Sequence, residues 1–144
     1  PKYKNSSDTP VFKKLRNLFA FNYARHTCSE NLILCEGYMD VIALHAAGFS
    51  NAIATLGTAI TSEQARVLSR YTKRIIISYD ADEAGQKAAK RAMQLLGEVG
   101  LEVSVLKIPD AKDPDEYIKK HGRDNFAHLL KNTKSKFEYN RTKR

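Results

Sequence analysis

Asn31-Leu32-Ile33-Leu34-Cys35-Glu36-Gly37-Tyr38-Met39-Asp40 is an apolar run of strand length that stops at a carboxylate and a glycine. Val41, Ile42, Leu44 and His45 follow at helical spacing. A buried strand that ends in an acid and turns at once into a helix is the local pattern of an open α/β sheet. Such sheets place their chemistry beyond the carboxyl ends of the strands. Two aspartates follow an apolar run at Asp80 and Asp82, and two more open a helix at Asp113 and Asp115.

Working outward, Val11, Leu15, Leu18, Phe19 and Phe21-Asn22-Tyr23 predict an amphipathic helix from Thr9 or Pro10 to Arg25. The helix from Tyr38 ends near Ala47, before Gly48. Asn51 to Thr55 reads as a second strand, and Thr61 with Gln64 as a capping box for a helix to about Arg70. Arg74 to Tyr79 carries the strongest strand signal, with three consecutive isoleucines. A long helix then runs to about Leu96, punctuated by Gly97 and Gly100, and Glu102 to Leu106 alternates as a fourth strand. A short helix from Asp113 reaches Lys120, Gly122 breaks it, and Phe126, Leu129 and Leu130 begin another that frays over 133–144. Strands alternating with helical crossovers predict an α/β fold: a four-stranded parallel sheet flanked by helices on both faces. Glu36 and Asp80 can share a site only if the first and third strands are neighbours, which favours the order 2-1-3-4.

The 144 residues suit one domain, with 42% apolar and 28% charged residues. No run approaches a membrane span and no signal peptide opens the chain, so a cytoplasmic protein with no membrane partner is expected. Cys28 and Cys35 form no zinc motif and read as buried or half-buried thiols. Net charge is +8. Residues 1–29 hold six basic groups and one acid, as do residues 131–144, while 30–130 hold twelve basic groups and fourteen acids. Basic flanks around an acidic centre fit a nucleic-acid partner outside and a cation inside; they also fit solvated helix faces.

A parallel sheet would gather Glu36, Asp80, Asp82, Asp113 and Asp115 at one edge, an arrangement that is costly without cations. Mg²⁺ or Mn²⁺, hard ions with oxygen ligands, are the natural counter-charge, and such ions assist phosphoryl displacement. Each acid also has a plainer reading. Asp113-Pro114-Asp115-Glu116 is a good helix start, and Asp80 or Asp82 could cap the next helix. One cap needs no second acid, so the Asp80/Asp82 pair leans toward function. Glu36 fits neither a cap nor a surface pattern. Asp40, one turn on, could join the cluster or face solvent. Gly37 and Gly85 read as positions where a side chain would crowd the site or where φ is positive, and Gly57 as a possible third approach. The four histidines show no ligand spacing, and His45 reads as a packed residue.

Glu36-Gly37-Tyr38-Met39-Asp40-Val41, Thr55-Leu56-Gly57-Thr58-Ala59, Tyr79-Asp80-Ala81-Asp82-Glu83-Ala84-Gly85 and Lys112-Asp113-Pro114-Asp115-Glu116-Tyr117 together resemble the TOPRIM (Rossmann-like) domain of bacterial DnaG-type primases. The glutamate and the Asp-x-Asp pair also resemble topoisomerases, recombination-mediator proteins and OLD-type nucleases. The Gly-Tyr-Met-Asp-Val and Asp-Pro-Asp-Glu-Tyr segments, and the opening Lys2-Tyr3-Lys4-Asn5-Ser6, look specifically primase-like. The resemblance implies Glu36 as acid/base or metal ligand, Asp80 and Asp82 as holders of Mg²⁺ or Mn²⁺, and Asp40, Asp113 and Asp115 as the rest of the metal-binding cluster. It implies nucleotidyl transfer that makes short RNA primers from ribonucleotides on a single-stranded DNA template. Residues 1–29 would then be a linker and helix leading to another half of the polymerase core, 30–121 the TOPRIM domain, and 122–144 a helical extension. A zinc-binding domain and a domain meeting the replicative helicase are expected outside this chain. The chain itself, opening without methionine, is expected to be a monomeric piece that binds metal yet makes little or no primer. A TOPRIM nuclease or topoisomerase, and a non-catalytic receiver-like module with Asp80 at its strand end, remain the competing readings.

Overall fold

The computed structural model describes residues 18–24, 30–55 and 58–143. The strand quoted first, β2 (Asn31–Cys35), lies at the centre of a five-stranded sheet. In chain order the other elements are β1 (Leu18–Phe19), α1 (Phe21–Ala24), α2 (Tyr38–Ala46), β3 (Ala52–Thr55), α3 (Ser62–Leu68), β4 (Arg74–Ser78), α4 (Glu83–Glu98), β5 (Glu102–Val105), α5 (Pro114–His121) and α6 (Arg123–Lys143). The sheet order is β1-β3-β2-β4-β5. The four strands expected from sequence pair in parallel and in the expected order.

The middle of each central strand is apolar because both sheet faces are covered. Leu32, Leu34, Ile53, Ile75 and Ile77 pack against α3 and α4 through Ala65, Leu68, Ala89, Ala92 and Leu96. The alternate residues Ile33, Cys35, Ala52, Ala54 and Ile76 face α2, α5 and α6 through Val41, Leu44, Tyr117, Phe126 and Leu130. Burying one such aliphatic side chain stabilises the fold by roughly 1.5–3 kcal/mol. The β2–β4 register sets Cys35 opposite Ser78, so the residues just beyond both strands meet at one edge.

Two expectations are corrected. Leu18 and Phe19 do not continue a helix; they form a fifth strand, antiparallel to β3, with Leu18 opposite Thr55. The otherwise open edge of β3 offers unpaired backbone groups, and pairing outweighs the local helical pattern. Ala20, at φ 70°, turns the chain into the short α1. The remainder of the predicted helix, with Cys28, His26 and Gly57, lies outside the described residues. At the other end α6 does not fray at 133 but is one helix of 21 residues. Neither glycine nor proline interrupts it, and Thr133 is buried with its hydroxyl donating to the Leu129 carbonyl.

The capping box at Thr61 forms as read, the Gln64 amide donating to Thr61 and the Thr61 amide to Gln64. His45 is held by the Ala52 carbonyl at 2.9 Å. Gly37 is extended, at φ −129° and ψ 159°, so no positive φ calls for a glycine there, and open space stands where a Cβ would.

Phe126 is fully buried between the rings of Phe49 and Tyr117 and anchors α6 to the sheet. Phe126→Ala is expected to lower unfolding free energy by about 3–5 kcal/mol in urea titrations followed by circular dichroism. A loss under about 1 kcal/mol would mean that α6 does not dock on the core.

Candidate metal centre

Three strand-to-helix turns at the carboxyl edge supply the acids. β2 ends in Glu36, whose Oε1 accepts a hydrogen bond from the Asp80 amide at 2.7 Å. This bond joins the ends of the two central strands. Asp40 lies in the first turn of α2 and is buried. Its Oδ1 accepts from the Asp115 amide at 3.1 Å, which fastens the start of α5 to α2. Asp113 is the N-cap of α5, accepting from the Glu116 amide at 2.8 Å, with Pro114 at the first helical position. The Ala81 amide donates to the Lys112 carbonyl at 3.3 Å, so the loops carrying Asp80 and Asp113 are tied directly.

These contacts bring one oxygen each from Asp40, Asp80 and Asp113 within 4.8 Å of one another. The other three candidates stand outside that group. Glu36 sits beside it, its Oε1 engaged by the Asp80 backbone. Asp82 is exposed and caps α4, accepting from the Gly85 amide at 2.7 Å. Asp115 is paired with Lys119 at 3.2 Å. The Asp80/Asp82 pair therefore divides its work: one acid joins the cluster and the other caps. Gly85 is required by close packing, since a Cβ there would collide with the Asp80 carbonyl. The nearest crowding partner is the backbone of the Asp80 turn.

Three carboxylates this close repel one another. Burial raises the Asp40 pKa from 3.8 to about 7, the Asp115 amide opposes the rise, and the charges of Asp113, Asp80 and Asp115 add to it. Asp80 is also raised, first by burial, then by Glu36, Asp113 and Asp82, with Lys112 opposing. Below them the Cys35 thiol is buried and pushed up, chiefly by burial, which makes it inert. The donor set is all carboxylate oxygen, with no imidazole or thiolate in the group. That set, together with raised acids whose repulsion a cation would relieve, fits a hard divalent ion such as Mg²⁺ or Mn²⁺.

Sequence reading left two features of this edge unseen. Ser78, the last residue of β4, has a buried hydroxyl with no hydrogen-bond partner among the described residues. A cleft on the other side of the Asp80 loop is walled by the segment after β5 and carries Lys107 and Lys112. Isolated lysines carry no spacing signal, and an orphaned hydroxyl has no sequence signature at all.

Residues 33–118 match the protein family described as Toprim-like. Over 140 residues the chain is 46% identical to the DNA primase of Clostridium acetobutylicum, a match covering 96% of this chain and 24% of that protein. The fold is similar to the zinc-binding and RNA polymerase domains of Aquifex aeolicus primase, with a TM-score of 0.78 at 42% identity over 88% of this chain and 32% of that one. A DnaG primase catalytic domain bound to single-stranded DNA gives a TM-score of 0.74 at 33% identity, over 92% of this chain and 44% of the other. The chain thus spans well under two thirds of each relative.

A carboxyl whose folded-state pKa is raised stabilises the fold fully below its unfolded value, and that contribution is lost as pH climbs through the folded value. For Asp40 the window runs from 3.8 to about 7. Thermal midpoints in a chelator are expected to fall across that range. Asp40→Asn keeps an oxygen for the Asp115 amide but cannot ionise, so its profile should be flatter and its midpoint above wild type at pH 8. Parallel profiles for the two proteins would show that the Asp40 charge is not held against its neighbours.

Proposed function

The chain belongs to the Toprim-like family, and from that membership we propose that it forms the metal-holding part of the catalytic core of a DNA primase, an enzyme that makes short RNA primers on single-stranded DNA. The observation that carries this reading is the convergence of Asp40, Asp80 and Asp113 within 4.8 Å, beside Glu36 at the carboxyl edge of the sheet. The 46% identity to a primase over nearly the whole chain supports this over a nuclease, a topoisomerase or a receiver-like module.

Asp40, Asp80 and Asp113 would hold Mg²⁺ or Mn²⁺, with Asp82 and Asp115 at the rim. When bound, the ion neutralises phosphate charge and stabilises the oxygens that enter and leave phosphorus. The chain's own contribution is positioning and proton handling. Glu36 is fixed through Oε1 by the Asp80 amide, which leaves its other oxygen to take a proton. In the proposed reaction a ribonucleotide 3′-hydroxyl oxygen bonds to the α-phosphorus of the incoming nucleotide. The bond from that phosphorus to the β-phosphate oxygen breaks, pyrophosphate leaves with the electron pair, and the hydroxyl proton passes to Glu36. The basic flanks at 1–29 and 131–144 support contact with the template. No helix among the described residues is long and apolar enough to cross a membrane, which fits a cytoplasmic replication protein. Contact with a replicative helicase, and any zinc site, would belong to other parts of the whole enzyme.

Two measurements test this. Mn²⁺ added to the labelled chain should broaden amides near Glu36, Asp80 and Asp113, and Asp80→Asn should abolish that pattern. Replacing the matching segment of Aquifex aeolicus primase with this chain should give an enzyme that primes on single-stranded DNA. Asp80→Asn in that chimera should cut primer synthesis by about 100-fold or more, the scale of a lost electrostatic centre. Dispersed broadening together with an unimpaired Asp80→Asn chimera would overturn the proposal.

A further inference from the structure

The apolar run of β4 ends in a serine: Arg74-Ile75-Ile76-Ile77-Ser78, with Tyr79 and Asp80 next in the chain. Ile75, Ile77 and Tyr79 belong to the core layer under α3 and α4, whereas Ile76 belongs to the layer under α2, α5 and α6. Side chains alternate along a strand, so Ser78 shares the face of Ile76, and Asp80 comes next on that face. The register sets Ser78 opposite Cys35 of β2. On the other flank stands Leu106, whose amide donates to the Ile77 carbonyl at 2.8 Å. Ile76, Cys35 and Leu106 all lie in one core layer with Val41 and Tyr117. Apolar side chains and one thiol thus close the surroundings of Ser78 on every side but one. The remaining side leads to the acids: Asp80 two residues on, Asp40 just before Val41, and Asp113 four residues before Tyr117.

Ser78 is 1% exposed, and among the described residues its hydroxyl is the only buried side-chain nitrogen or oxygen without a hydrogen-bond partner. A hydroxyl buried in that way costs stability. Packing does not account for it, because alanine would fill the same place in the layer without the cost. The acids above it offer a use. Asp40 and Asp113 each give Oδ1 to one backbone amide, and each carboxylate keeps further lone pairs. A donor that binds a ligating carboxylate fixes its orientation and raises metal affinity. Such a donor must sit behind the ligands, out of reach of competing water, which is where the register and the two core layers put Ser78.

We propose that Ser78 is a positioning residue of the metal-holding group: its hydroxyl, at the floor of the Asp40–Asp80–Asp113 cluster, donates to these carboxylates, directly or through one water, when a divalent cation draws them together. Ser78 touches neither the cation nor the reacting atoms and acts through the acids alone. The role rests on the reading of the cluster as a metal centre. Without a cation the buried hydroxyl only weakens the edge; with one it holds a ligand in place. Its removal therefore acts in opposite directions on stability and on metal affinity, which a serine that merely packs would not do.

The test compares the full chain with its Ser78→Ala and Ser78→Thr variants by two readouts. Thermal midpoints in a chelator report the fold. Mn²⁺ titration, followed by broadening of amides near Asp80 and Asp113, gives the dissociation constant. Ser78→Ala is expected to melt at or above the wild-type midpoint and to bind Mn²⁺ about tenfold more weakly. Ser78→Thr returns the hydroxyl and should bind within about threefold of wild type. If its added methyl crowds the layer, a lowered midpoint shows this, and Ser78→Ala alone then decides. Unchanged Mn²⁺ affinity in Ser78→Ala would overturn the role, whatever its midpoint. A lowered midpoint together with weaker binding would do the same, since the hydroxyl would then serve the fold itself. So would a threonine variant that melts like wild type yet binds as weakly as Ser78→Ala. Wild-type broadening that does not centre on Glu36, Asp80 and Asp113 rejects the metal-centre reading and the Ser78 role with it; centred broadening that Ser78→Ala leaves intact rejects the Ser78 role alone.

Discussion

Carboxylates repel, and a chain that gathers three of them within 4.8 Å must hold them there by other means. The holding is done by backbone. Glu36 binds the Asp80 amide, Asp40 binds the Asp115 amide, Asp113 binds the Glu116 amide, and Asp82 binds the Gly85 amide. Each of these four acids thus accepts a hydrogen bond from a peptide group, on a neighbouring element or on the helix that it caps. An ionised carboxylate makes these bonds about twice as strong as a neutral acceptor would. Charge is at once what threatens the arrangement and what fastens it.

The parallel sheet makes such fastening possible. With β2 and β4 in register, Cys35 faces Ser78, so the next residues on both strands emerge together. A shift of one residue would turn Glu36 or Asp80 to the opposite face and send Ile33 or Ile76 into the wrong core. The apolar packing on both faces therefore enforces the polar geometry at the edge. The core fixes the register, and the site follows from it.

Much of this was legible in the chain. Four strand patterns alternating with helical crossovers gave the parallel sheet, and the need for Glu36 and Asp80 to meet gave its order. The acids of the edge were likewise visible as carboxylates at strand ends. What could not be read was decided by contacts between distant residues. Leu18 and Phe19 are apolar at positions that suit a helix or a strand equally, and only the free edge of β3 settles the matter. Asp82 and Asp113 both stand in sound capping contexts, yet Asp113 also faces the cluster while Asp82 does not. Asp40 was balanced between core and solvent because its burial depends on α5, which lies 75 residues away along the chain at the Asp115 contact. The span of α6 was underestimated because polar composition was read as fraying, although nothing in that stretch stops a helix.

Asp113 shows why capping and catalytic geometry are hard to separate in folds of this kind. A helix cap fixes a carboxylate to within hydrogen-bond tolerance of a rigid element, which is the tolerance a metal ligand also needs. The cap uses Oδ1, and a carboxylate has a second oxygen and further lone pairs to offer. An acid at the first turn of a helix is also the acid whose ionised form the helix dipole favours. A helix start pressed against a strand end is therefore a ready source of preorganised ligands, provided that burial keeps competing water away. Asp40 and Asp80 lack caps of their own and rely on that burial, and both carry raised pKa values as the consequence. The centre is thus a mixture of one acid kept ready by its helix and two held at a cost that a bound cation would offset.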